Sequence, residues 1–150
     1  MVSIDWCIKQ SKGIRKVKPS KNLYDSYLNM AERSISDLNK VETDIWRTTI
    51  SYYIFYYSLY ALMAKIGIKS EIHSCTILFL EKYLTKYYSE NDIKMVKNSH
   101  EARINLQYYT KNKEENHQIR KMNKHSKIFY LKTKNTHLTR EEIEKIRKQF

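Results

Sequence analysis

Thr48-Thr49-Ile50-Ser51-Tyr52-Tyr53-Ile54-Phe55-Tyr56-Tyr57-Ser58-Leu59-Tyr60-Ala61-Leu62-Met63-Ala64 carries no charge between Arg47 and Lys65 and contains five tyrosines. At helical pitch Tyr52, Tyr53, Phe55, Tyr56 and Tyr57 surround almost the whole circumference, so a helix here needs neighbours on several sides. Its phenols, once buried, need hydrogen-bond partners, which predicts a polar seam inside the packing. The helix is expected from Thr43 to Ile66, closed by Gly67 in the left-handed C-terminal cap position. At ~1.5 Å per residue it is roughly 35 Å long, the central member of a bundle. As a membrane span the run barely reaches the roughly 17–25 residues required, and tyrosine favours the membrane interface over its middle. A buried core helix is the reading, with no membrane partner.

Two glycines and one proline in 150 residues leave little punctuation for hairpins. The expected class is all-α, an antiparallel four- to five-helix up-and-down bundle with basic N- and C-terminal extensions. Leu23, Tyr27, Ala31, Ile35 and Leu38 recur at helical spacing and predict a helix from Ser20 to Val41. A third helix is expected from His73 to Tyr87, and a fourth from Asn91-Asp92, which offer N-capping chemistry. Beyond Thr110 the periodicity weakens: 111–127 reads as a charged connection, and Lys127–Lys132 as a short strand or irregular apolar anchor. Thr139 and Glu142 have capping-box spacing and open a last helix. The organisation expected is a basic arm (1–19), a bundle (20–110) and a basic extension with a terminal helix (111–150).

Charge is unevenly placed within the net +12. Residues 1–22 hold six basic side chains against one acidic, 23–110 hold ten of each, and 111–150 hold twelve against five. Basic ends on a neutral body attract polyanions through counterion release, with RNA as one class of partner; they also keep a tyrosine-rich domain in solution. Cys7 and Cys75 lack CxxC or Cys/His spacing and read as reduced thiols of a cytoplasmic protein. His100, His117, His125 and His137 lack metal-ligand spacing, so no metal or cofactor is expected. Ser/His/Asp arrangements, glycine-rich phosphate loops and paired catalytic carboxylates are missing as motifs.

The candidate site centres on Arg103. On an ideal helix His100, Arg103 and Gln107 form one strip, while Tyr108 lies about 140° round from Arg103. An arginine here can grip a phosphate or pair within the bundle. His73, at the start of the third helix, is a candidate proton-transfer group if it faces Arg103. Tyr52, Tyr53 and Tyr56 are candidate ligand contacts, since aromatic faces can stack bases, although aromatics at this spacing are more often core.

Trp46 through Met63, then Gly67-Ile68-Lys69-Ser70-Glu71-Ile72-His73-Ser74, then Arg103 with Tyr108, resemble in that order the HEPN superfamily over roughly residues 20–110. The resemblance implies a helical bundle, commonly a homodimer. It also implies a toxin-like or substrate-binding component of a pair with a minimal nucleotidyltransferase, binding that partner, a nucleotide or RNA. Nuclease members pair arginine with a histidine four to six residues on, for metal-independent RNA cleavage. Here Tyr108 stands at that place, and a phenol with a pKa near ~10 is a weak general base at neutral pH. The catalytic candidates implied are therefore Arg103, Tyr108 and His73.

Overall fold

A computed structural model describes residues 2–106 and 116–150. Among them are seven helices and one two-stranded sheet: α1 (Ile4–Lys9), β1 (Arg15–Lys16), α2 (Lys21–Leu38), α3 (Asp44–Ile66), β2 (Ile68–Lys69), α4 (His73–Tyr83), α5 (Glu90–Ile104), α6 (Asn116–Lys134) and α7 (Arg140–Arg147). The protein is thus mostly helical, a bundle built round α3. Along α3, the side chains of Tyr52, Ile54, Phe55, Leu59, Leu62 and Ile66 are almost wholly removed from water, the outcome of an uncharged run flanked by helices on several sides.

Side-chain pairs fix the sense of each neighbour. Lys65 stands over the Tyr24 ring, and Tyr27 meets Tyr57 and Tyr60, so α2 runs antiparallel to α3. Ser51 bonds Asn123 and Phe55 packs on Phe129, so α6 runs in the same sense as α3. Tyr88, just ahead of α5, stacks on Phe129 at 4.4 Å and bonds Thr133, while Asp92 one turn on reaches back to His125, so α5 runs antiparallel to α6. At its N-terminus Ser89 and Asp92 form a reciprocal capping box. Asp92 is buried, and it binds Lys132 at 2.6 Å and His125 at 2.8 Å on α6. Burial works to raise the pKa of Asp92, but the bonds from Lys132, the Ser89 backbone and His125 together hold it below the usual carboxylate value.

Helix α3 ends as expected at Gly67, whose φ of 85° is left-handed. A Cβ there would also collide with the Arg147 guanidinium and the Val17 carbonyl. That guanidinium, carried on α7, donates to the carbonyls of Val17, Ile66 and Gly67, tying three separate parts of the chain together. Next to it β1 and β2 pair antiparallel, Arg15 opposite Lys69. Thr139 caps α7 through the Glu142 N–H, as its spacing predicts.

Several expectations need correction. Cys7 and Cys75 are joined in a disulfide, both fully buried, in place of two reduced thiols; the two helices carrying them, α1 and α4, pack together, which no spacing in the sequence announces. Lys127–Lys132 is neither strand nor irregular but part of α6, with Phe129 and Tyr130 buried against α3 and α2. Core packing therefore extends past residue 110, and on the N-terminal side the disulfide and the small sheet bring residues 7–16 into it. Helix α4 stops at Tyr83, short of Tyr87. The N-cap of α5 is Ser89, with Asp92 as its reciprocal partner three positions on. Leu23, expected on the buried stripe of α2, is 49% exposed. Among the described residues no helix is long and apolar enough to cross a membrane.

Candidate functional site

Three elements converge on the ring of Tyr52. From α3 come Tyr52, Tyr53 and Tyr56; from the first position of α4 comes His73; from the last turns of α5 come His100 and Arg103. Tyr52 is buried because its direction on α3 looks between α4 and α5, and its hydroxyl lies 2.5 Å from His73 Nδ1. His73 also stacks on Tyr56, with ring centroids 4.2 Å apart and planes 14° from parallel. The Tyr56 hydroxyl donates to that of Tyr60, and Tyr60 donates in turn to the Ser70 carbonyl. This chain of donors is the polar seam that a buried tyrosine cluster requires.

Arg103 covers the open side of the cluster. Its guanidinium carbon stands 4.6 Å from the centroid of Tyr52 and 5.8 Å from that of Tyr53, a cation over two aromatic faces. Such contacts contribute about 0.5–2 kcal/mol, more as water is excluded. The last turn of α5 is also where the helix dipole favours a cation. Among the described residues its buried Nε has no hydrogen-bond acceptor, and no carboxylate forms an ion pair with it. His100, one turn before Arg103, lies against Tyr52 with centroids 5.3 Å apart and 6.1 Å from the His73 ring. Its buried Nδ1 likewise lacks a partner among the described residues.

Protonation states follow from this crowding. Burial, then the charge of Arg103, then His100 lower the pKa of His73 to about 4. Burial and Arg103 also lower that of His100. Burial raises Tyr52 well above the phenol value despite the opposing pull of Arg103, and burial raises Tyr56 in the same way. At pH 7 His73 and Tyr52 are therefore both neutral. Tyr52 donates its proton to Nδ1, which leaves the proton of His73 on Nε2. The positive charge of the cluster belongs to Arg103.

The candidates read from the sequence thus fall into two sets. Arg103, His100, His73, Tyr52, Tyr53 and Tyr56 come together round one ring. Gln107 and Tyr108 lie outside the described residues. His73 bonds Tyr52 across 21 positions. The tyrosines meet Arg103 with their ring faces, not their hydroxyls. On the side away from the cluster His100 lines a cleft of about 200 Å³ with Ser74, Ile77, Leu78 and Lys97. Among the described residues no three or more His, Cys, Asp or Glu side chains are grouped to hold a metal ion. What the arrangement offers chemically is a cation held by aromatic faces next to two imidazoles, one of them placed by a phenol. No family model matches the chain, and no curated protein matches it either.

Proposed function

We propose that this chain is a HEPN-type helical bundle that acts as the toxin-like or substrate-binding component of a pair with a minimal nucleotidyltransferase. It works as a homodimer and binds its partner, a nucleotide or RNA at a groove that includes Arg103. The observation that carries the reading is the state of Arg103: stacked on Tyr52 and Tyr53, without a carboxylate and with an uncommitted buried Nε among the described residues. A guanidinium engaged only in structure would have its donors satisfied by carboxylates or carbonyls, as Nη1 of Arg147 is by the carbonyls of Val17, Ile66 and Gly67. One held by ring faces keeps its donors for an incoming phosphate.

The adjacent imidazoles favour a second reading, metal-independent RNA cleavage, because His73 and His100 both reach the Tyr52–Arg103 cluster. In it a neutral imidazole accepts the 2′-hydroxyl proton and Arg103 faces the phosphate charge. One experiment separates the two. Fluorescently labelled single-stranded RNA is mixed with the wild type and with Arg103→Ala in EDTA, and both anisotropy and strand length are followed. Binding weakened at least tenfold by Arg103→Ala with the strand intact supports the binding role; cleavage abolished by the same change supports the nuclease. Binding and cleavage that ignore the substitution would remove Arg103 from both.

A further inference from the structure

We propose that a second anion site lies between the N-terminal ends of α3 and α6, where Arg47 and Arg120 grip the phosphates of a polyphosphate-bearing ligand of nucleotide size. A cleft of about 590 Å³ opens there, lined by Asp44, Arg47, Ile119, Arg120 and Asn123, a volume in the range of small-molecule sites, about 300–1,000 Å³. It is distinct from the Arg103 cluster, since Arg47 and Tyr52 point about 140° apart round α3.

The two helices run in the same sense, which brings both of their N-terminal ends to this end of the bundle. Helix α3, whose first residue Asp44 lines the cleft, contributes the positive end of its dipole and first-turn N–H groups without intrahelical acceptors. At α3 the N-cap residue Thr43 makes no side-chain cap. The arginines are placed for the task. Arg47 donates through Nε to the Val41 carbonyl at 3.1 Å, which positions its guanidinium while its two terminal nitrogens make no bond among the described residues. Those nitrogens are the fork that matches a phosphate. Arg120, an exposed residue on the second turn of α6, faces the same cleft. The hydroxyl of Ser51 donates to Asn123 Oδ1 at 2.5 Å, so the amide oxygen is occupied and the amide N–H₂ remains as a donor in the cleft wall.

Asp44 gives the site its selectivity. Its carboxylate shares the cleft with the two arginines, so an incoming anion must displace or outweigh it. A monoanion gains little from that exchange. A di- or triphosphate, with more charge and more oxygens than one carboxylate, engages both guanidinium groups at once.

Calorimetric titration of the full-length chain with pyrophosphate, ATP, orthophosphate and sulfate at fixed ionic strength tests this. Pyrophosphate and ATP are expected to saturate one site per chain at least tenfold more tightly than orthophosphate or sulfate. Arg47→Gln with Arg120→Gln should weaken both at least tenfold, and Arg120→Gln alone, at an exposed position that does not threaten folding, by a smaller factor. Lys148→Gln, an exposed position just after α7 and outside the cleft, should leave pyrophosphate affinity unchanged. Tight pyrophosphate with no ATP binding would overturn the nucleotide-sized ligand; absence of saturation, or affinity untouched by Arg120→Gln, would overturn the site. Loss of pyrophosphate binding in Arg103→Ala would assign the anion to the tyrosine cluster instead, a result that leaves the Arg103 reading standing and removes this one.

Discussion

Tyr52 is an apolar core side chain by area and the hub of a polar cluster by its edges: its face receives Arg103, its hydroxyl binds His73, and His100 lies against it. The consequence for His73 is measurable. Its pKa in the folded protein, about 4, lies below the ordinary value of 6.5, so between those values the unfolded chain binds more protons than the folded one. Stability from this group is therefore complete above about pH 6.5 and is lost as the pH falls toward about 4, below which the loss is complete. Proton NMR should show the imidazole of His73 titrating near pH 4, and in Arg103→Ala at a higher pH, because one of the charges that depresses it is gone. A His73 midpoint that ignores the substitution would show that the guanidinium does not face the imidazole. The helical spacing of His100 and Arg103 was legible in the sequence, as was the density of tyrosine. The meeting of His73 with Tyr52 was not, because it is set by how the chain returns from Gly67 to the start of α4, a path that no periodicity encodes.

Among the elements, α1 is weakly attached by packing. Of its six residues only Cys7 is buried, and Trp6 and Ile8 face solvent at 42% exposure each. Its docking rests on the disulfide to Cys75, on partial burial of Ile4, and on the Ile14 N–H to Cys7 carbonyl bond. Gly13 permits that bond, since a Cβ at this position would run into the Cys7 carbonyl. The crosslink spans 68 positions, and a loop of that size limits the unfolded chain by about 4 kcal/mol in the chain-entropy account. Cys7→Ser with Cys75→Ser should lower stability by about that amount, read as a fall in the urea midpoint, with faster amide exchange in α1 than in α3. An unchanged midpoint would mean the two sulfurs do not constrain the chain. The helices with capping or C-cap signals, α2, α3 and α7, were readable to within a few residues. Helix α6 was not: lysines interrupt its apolar residues, and the short run Ile128-Phe129-Tyr130-Leu131 imitates a strand. Tertiary packing decides it, since Phe129 fills the space between Phe55 and Tyr88, and Thr133 accepts a place beside the Tyr88 hydroxyl.

For the whole molecule, the uneven charge and the packing lead to opposite expectations for the C-terminal forty residues. Charge alone makes 111–150 a detachable basic extension, one that could be removed to test polyanion binding while the bundle of 20–110 survives. Packing forbids it. Helix α6 buries Ile119, Met122, Phe129 and Tyr130 against α3, α5 and α2, and its Lys132 and His125 are the side-chain partners of the buried Asp92. A chain ending at residue 110 would bare these flanks of α3 and leave the Asp92 carboxylate without Lys132 and His125, a loss of several kcal/mol from the carboxylate partners alone and a few more from each large apolar side chain. A domain of this size has about 5–15 kcal/mol in total. The truncated chain should therefore show no cooperative thermal transition by circular dichroism and collapsed amide dispersion in NMR. The basic surface has to be tested in the intact chain, by charge-neutral substitutions at exposed Lys121, Lys124 and Lys148. If RNA affinity depends on such charges, its logarithm should fall less steeply with the logarithm of salt concentration in that triple variant, by about one slope unit for each phosphate contact removed. A truncated chain that melts cooperatively would show that α6 is an appendage and that the bundle closes without it.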